Sequence, residues 1–329
     1  MKASILMPCY NAEKYIARAI TSLLNQTYAE FEIVIVDDGS TDSTKEVILS
    51  FKDSRIKMIE LCKNQGITNA LNVGLSECKG QFIARMDADD FSFPNRIERQ
   101  LDFFEKNENV IAVGSSIVNF DEFGNEVLVK YPSTHDEIKA NLYMYERSIC
   151  HPSVMIRSEI VKKIKYSNKY PYCEDMKLWF DLIKLGQVAN IDEALIKYYR
   201  HSLQVSNNFN LEQMEATKNL LTEMFEDYKI SEIEVFIKYI QCNVRMRSKD
   251  RIELLNIIPI LCKSLDVSEY SIKSSLYLKD LKYLNRFNGS YLAMIKSLFR
   301  FLFFSKYDIL NRIKLIANLV NFSRKYNEV

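Results

Sequence analysis

Glycine is scarce in this chain: there are eight in 329 residues, and none sits in a GxxxxGKS/T or GxGxxG arrangement. That excludes the phosphate-cradling loops of P-loop ATPases and of dinucleotide-binding dehydrogenases. The seven cysteines (Cys9, Cys62, Cys78, Cys150, Cys173, Cys242 and Cys262) are odd in number, scattered, and never spaced as CxxC. A disulfide framework and a zinc site are both excluded on spacing, and a reducing compartment is expected. No uninterrupted apolar run is long enough to cross a bilayer, and the apolar run before Pro8 is too short for a signal-peptide core. A cytoplasmic location follows as the expectation. The formal net charge is +1, and no nucleic-acid partner is expected.

What is present is ordinary globular material, 47% hydrophobic and 26% charged. The length accommodates an α/β catalytic domain and a smaller appendage. Apolar runs over residues 3–7, 31–36, 56–61 and 82–86 read as strands. Between them, periodic segments over residues 12–24, up to Ser50 and over 66–76 read as helices, with Asn11 and then Asp42 or Ser43 as caps. Short joints between alternating strands and helices are the pattern of a mostly parallel sheet flanked by helices. Further on, the spacing predicts a helix from Pro94 to about Lys106 and a strand over 110–119 with a turn after it. A short strand over 153–156, a helix from Glu174 to Leu185 stopped by Gly186, and a strand over 194–200 follow.

The informative stretch is Phe82-Ile83-Ala84-Arg85-Met86-Asp87-Ala88-Asp89-Asp90. The apolar residues explain a strand, but folding asks for no carboxylates at its end. Three of them repel one another unless a cation or hydrogen-bond donors lie between them; the bland alternative is a solvated Asp-rich turn. Two more strands end in Pro8-Cys9-Tyr10-Asn11 and in Asp37-Asp38. If the strands are parallel, all three ends share the sheet edge where open α/β folds bind ligands. There a flat heterocycle can pack on Tyr10 while Asp37 accepts its ring N–H. Asp87 can take a ribose hydroxyl, and Asp89 a divalent cation bridging to a diphosphate. Hard oxygen ligands of this kind suit Mg²⁺ or Mn²⁺.

These segments, with Ser22 to Thr27, Val36 to Asp42, Asn64-Gln65-Gly66, Pro94 to Ile97 with Gln100, His151 to Met155, Glu174-Asp175 before Leu178-Trp179, and Tyr199-Arg200-His201, resemble the family 2 glycosyltransferases. The resemblance covers roughly the first two thirds of the chain. It implies a GT-A fold and an inverting transfer from a nucleotide-diphospho-sugar, with Mn²⁺ or Mg²⁺ as cofactor. The carboxylate placed to read the base makes UDP the expected nucleotide, and a glycan or, given the basic amphipathic C-terminal segment, a lipid-linked saccharide is the expected acceptor. Pro8, Tyr10, Glu13, Asp37 and Asp87 then correspond to the nucleotide pocket, Asp89 to the metal ligand of the DxD motif, and Asp175 to the general base. A helix dipole at the start of its helix is expected to keep Asp175 ionised at low pKa. One departure stands out: Leu71 precedes Asn72 where many relatives carry an arginine, so a diphosphate contact falls to Arg85 or Lys63. Glu174 and His151 are candidates to line the sugar sites. Trp179 either stacks on a sugar ring or belongs to the core, and His201 is either a further metal ligand or structural. His135 reads as a surface residue.

After residue 205 glycine nearly vanishes, and a helical C-terminal domain over 206–329 is expected. Nine cations from Lys282 to Lys325 face only Asp308 and Glu328. The apolar and basic segment over 291–326 therefore reads as an amphipathic contact with an anionic membrane surface on the inner face of the cell, as a homodimer contact, or as the core of the small domain. Two other functions compete with a transferase. A sugar nucleotidyltransferase needs a glycine-rich basic loop after the first strand, which is absent. A non-catalytic membrane-surface protein leaves Asp37, Asp87, Asp89 and Asp175 unexplained.

Overall fold

The computed structural model describes residues 1–201, 211–226 and 237 of the chain. Four strands form one half of a single sheet: β1 (Ala3–Cys9), β2 (Phe31–Asp37), β3 (Ile56–Glu60) and β4 (Phe82–Arg85). They lie parallel in the order β3-β2-β1-β4. Every residue of β1 is buried, as expected of a strand covered on both faces. The connecting helices are α1 (Ile16–Leu24), α2 (Thr44–Ser50) and α3 (Ile67–Glu77). Helix α1 buries Ile16, Ala19, Ile20 and Leu23, spaced to face the sheet.

The helix expected from residue 12 begins four residues later. Asn11 takes a left-handed φ of 49°, and its Oδ1 accepts the Thr41 N–H at 2.8 Å instead of capping. Helix α4 (Arg96–Lys106) likewise starts two residues after Pro94, whose carbonyl accepts Thr27 N–H at 2.8 Å.

The sheet's other half is mixed. Its strands are β5 (Phe91–Ser92), β6 (Val110–Asp121), β7 (Glu126–Val129), β8 (Met155–Arg157) and β9 (Gln187–Arg200). The order continues β4-β8-β6-β9-β5, with β8 antiparallel to β4 and β7 paired to β6. Strand β9 begins seven residues before the expected 194, because it pairs in parallel with almost the whole of β6. Helices α5 (His135–Tyr143) and α6 (Ser158–Ile164) and a 3₁₀ turn over His151–Ser153 complete this part, and α7 (Glu174–Leu185) matches expectation residue for residue. Helix α8 (Leu211–Glu226) follows.

One face of α4 is polar yet buried. Arg96 Nη2 donates to the Arg85 carbonyl at 2.7 Å, and Gln100 Nε2 donates to the carbonyls of Ser153 (2.8 Å) and Val113 (3.1 Å). The helix is thereby tied to the ends of β4 and β8, which position the site. One compact unit comprises Met1–Ile138 and Arg147–Thr217, the other Lys139–Glu146 and Lys218–Val329. The basic segment over 291–326 lies outside the described residues. Among those described, no helix is long and apolar enough to cross a membrane.

Candidate active site

Strands β1 and β2 end side by side, with Cys9 opposite Asp37. Pro8 is buried within β1, and Tyr10 just beyond it is 46% exposed, an aromatic face open to solvent. Asp37 is buried, and its Oδ1 accepts both the N–H (3.1 Å) and the hydroxyl (2.5 Å) of Ser40. Asp38 pins the loop after β3 by accepting the Gln65 and Gly66 N–H groups, each at 2.8 Å. Glu13 is exposed, and its Oε2 accepts the Ser43 N–H at 2.9 Å, so its carboxylate ties the first loop to the start of α2. Gly39 has φ +70°, and a Cβ there would stand 2.6 Å from the Lys63 backbone. Lys63 itself is exposed on that loop.

β4 ends beside β1, with Leu6 opposite Arg85, so the acidic run emerges at the same edge. Carboxylate oxygens of Asp87, Asp89 and Asp90 all lie within 4.8 Å of one another. Burial pushes the carboxyls of Asp87 and Asp90 up, and Asp89's charge adds to both shifts. Asp90 is fully buried; its Oδ1 accepts the Tyr199 N–H at 2.9 Å, while Oδ2 has no hydrogen-bond partner. Crowded carboxylates with an orphaned buried oxygen fit a divalent cation better than a solvated turn. His201, at the end of β9, brings Nε2 to 2.9 Å from Asp89 Oδ2. Arg85 is buried and pairs with Asp87 (Nη2 to Oδ1, 2.5 Å); its Nε and Nη1 have no hydrogen-bond partner.

The remaining acidic candidates lie at the start of α7. Asp175 Oδ1 accepts the Met176 N–H at 2.6 Å. The expected low pKa is overturned: burial drives the Asp175 carboxyl up, outweighing the local N–H donors and Arg85. Asp175 is half-buried; Glu174 is buried, and its carboxyl is pushed up to about 7, first by burial and then by Asp175. The charge of Asp175 adds to the upward shift of the Asp87 carboxyl. His151 is buried; burial, and then the Arg85 charge, hold its imidazole well below the ordinary range. Its Nε2 lies 2.9 Å from the Tyr166 hydroxyl, and its ring meets Trp179 edge to face at 5.7 Å. Trp179 is itself buried, which places it in the core.

Tyr166 lies in the field of Arg85, Glu174, Asp175 and Asp87. No spacing in the sequence marked it, because it follows α6 across an irregular joint where Lys165 takes φ +58°. His135 is not a plain surface residue: it is partly buried, and its Nδ1 accepts the Val188 N–H at 3.2 Å.

Comparison with known proteins gives the family and the fold. Residues 4–165 match the family model for glycosyl transferase family 2. An uncharacterized glycosyltransferase of Haemophilus influenzae is 34% identical over 287 residues, covering 83% of this chain and 84% of that protein. The UDP-Glc:alpha-D-GlcNAc-diphosphoundecaprenol beta-1,3-glucosyltransferase WfgD of Escherichia coli is 28% identical over 249 residues, covering 75% and 95% of the two chains. Among solved structures, S. aureus TarS 1–349 in complex with UDP-GlcNAc superposes with a TM-score of 0.62 at 18% identity, over 90% of this chain and 89% of that one. This chain belongs to glycosyltransferase family 2 and has the GT-A fold.

Proposed function

We propose that the chain transfers a hexose or N-acetylhexosamine from a UDP-sugar to a hydroxyl of a glycan or lipid-linked saccharide in surface-polysaccharide assembly, with inversion at the anomeric carbon. The observation that carries this is the acidic run at the end of β4, where carboxylate oxygens of Asp87, Asp89 and Asp90 lie within 4.8 Å of one another beside the ends of β1 and β2 that carry Tyr10 and Asp37. WfgD, a glucosyltransferase that uses UDP-Glc on a diphosphoundecaprenol-linked GlcNAc, and TarS, solved with UDP-GlcNAc, support the choice of UDP and of a saccharide acceptor.

In this reading Tyr10 stacks on the uracil, and the Asp37 oxygen not engaged by Ser40 accepts its ring N–H. Pro8 and Glu13 shape the same pocket, and Asp87 takes a ribose hydroxyl. Arg85, with two unpartnered nitrogens, donates to the diphosphate; Lys63 is the alternative donor. Glu174 and His151 line the sugar sites. Asp89, with the neighbouring acidic oxygens and His201, would hold Mg²⁺ or Mn²⁺. Such an ion, when bound, offsets negative charge on the departing UDP.

Asp175 accepts the proton of the acceptor hydroxyl as that oxygen bonds to the anomeric carbon and the bond to UDP breaks on the opposite face. A raised pKa suits this role, since a base more basic than an ordinary carboxylate takes the proton earlier. Attachment to the inner face of the membrane, or dimerisation, through the segment over 291–326 belongs to the same proposal.

Thermal-shift titration with UDP-, GDP- and CMP-sugars in Mn²⁺ tests the donor assignment. A rise in melting temperature confined to UDP-sugars is expected; a rise confined to GDP- or CMP-sugars contradicts it.

A further inference from the structure

We infer that Arg18 is a positioning residue for the metal ligand Asp89, a strut from helix α1 to the acidic loop. The inference rests on the metal assignment proposed above. Arg18 Nη2 donates to the Asp89 backbone carbonyl at 2.7 Å. Its guanidinium carbon lies 4.8 Å from the centre of the Tyr199 ring and 4.9 Å from that of Phe120. The Tyr199 ring in turn stacks on His201, with centroids 5.1 Å apart, and His201 Nε2 reaches Asp89 Oδ2 at 2.9 Å. The backbone N–H of the same tyrosine donates to Asp90 Oδ1 at 2.9 Å. Asp89 is thus held at its carbonyl by Arg18 and at its carboxylate by His201, both resting on one aromatic plank that also fixes Asp90.

The choice of acceptor atom matters. A guanidinium bound to the Asp89 carboxylate would compete with a cation for the same oxygens. Bound to the carbonyl, it fixes the loop without occupying a carboxylate oxygen. An exposed arginine on α1 contributes little to the fold by making this contact. Its removal therefore separates positioning from stability.

The test is Mn²⁺ titration of the full chain in the presence of UDP, followed by electron paramagnetic resonance, beside melting curves and steady-state kinetics. Arg18→Met keeps the stem and deletes the donor. It is expected to weaken Mn²⁺ binding on the order of 10-fold, with an unchanged melting temperature and an unchanged KM for the acceptor. Arg18→Lys keeps a donor but not the flat stacking face, and is expected to recover part of the loss. Removing the plank by Tyr199→Leu should weaken Mn²⁺ binding similarly, and the double variant should be no worse than the weaker single. Wild-type Mn²⁺ affinity in Arg18→Met overturns the inference while leaving the metal assignment standing. A wild-type chain that binds no Mn²⁺ overturns both.

Discussion

The side chain of Asn72 grips the backbone of Tyr166 at both ends, accepting its N–H at 2.9 Å and donating to its carbonyl at 2.9 Å. This grip joins α3 to the joint after α6, and through the Tyr166 hydroxyl it reaches His151. Replacing Asn72 by Leu strands a peptide donor and a peptide acceptor, at a cost of about 1–3 kcal/mol for each buried group. Urea unfolding should show that loss. Acceptor KM should rise, with donor KM little changed, because the Tyr166 hydroxyl meets His151, proposed above to line a sugar site.

His201→Ala removes the group that meets the Asp89 carboxylate. Loss of a ligand or of an outer-shell partner typically weakens metal binding by roughly 10–100-fold. Mn²⁺ dependence of the initial rate should shift by that order, and excess Mn²⁺ should restore most of the activity.

The pH dependence follows from the raised carboxyls. Glu174 is lifted from an ordinary 4.5 to about 7, so the folded chain binds this proton more tightly than the unfolded one. Its protonation therefore favours the fold at low pH, and stability falls as pH rises from about 4.5 to about 7. Glu174→Gln should flatten that decline in a pH series of urea midpoints. Asp175 is raised as well, so kcat/KM should climb with pH beyond the ordinary carboxylate range.

Gly39 answers two constraints at once, a left-handed φ of +70° and contact with the Lys63 backbone. Gly39→Ala should cost roughly 1–3 kcal/mol of stability. It should also raise donor KM, since the loop it displaces lies beside Asp37.

The parallel half of the sheet was legible because its strands are apolar runs punctuated by Asn, Asp and Gly. The acidic strand ends were legible because the apolar strands before them call for no carboxylates, although Asp38 proves to hold the loop after β3. The helix carrying Asp175 was legible too, from its periodicity and from Gly186. Helices α5 and α6 and strand β7 were missed. β7 has three exposed residues of four and shows no buried alternation, and α5 and α6 are only nine and seven residues long. Arg18, Tyr166 and Tyr199 gain their roles only by meeting residues far away in sequence. The pKa of Asp175 was misjudged because a first-turn position reveals the dipole but not the burial. The expected membrane or dimer segment lies outside the described residues.

Transfer by wild type and by Asp175→Asn, with an α-linked UDP-sugar and the product anomer assigned by proton NMR, tests the central claim most directly. The wild type should give the β-linked product. The variant should bind UDP normally yet lose about 10²–10⁴-fold in kcat. An α-linked wild-type product, or full transfer by Asp175→Asn, would contradict the account.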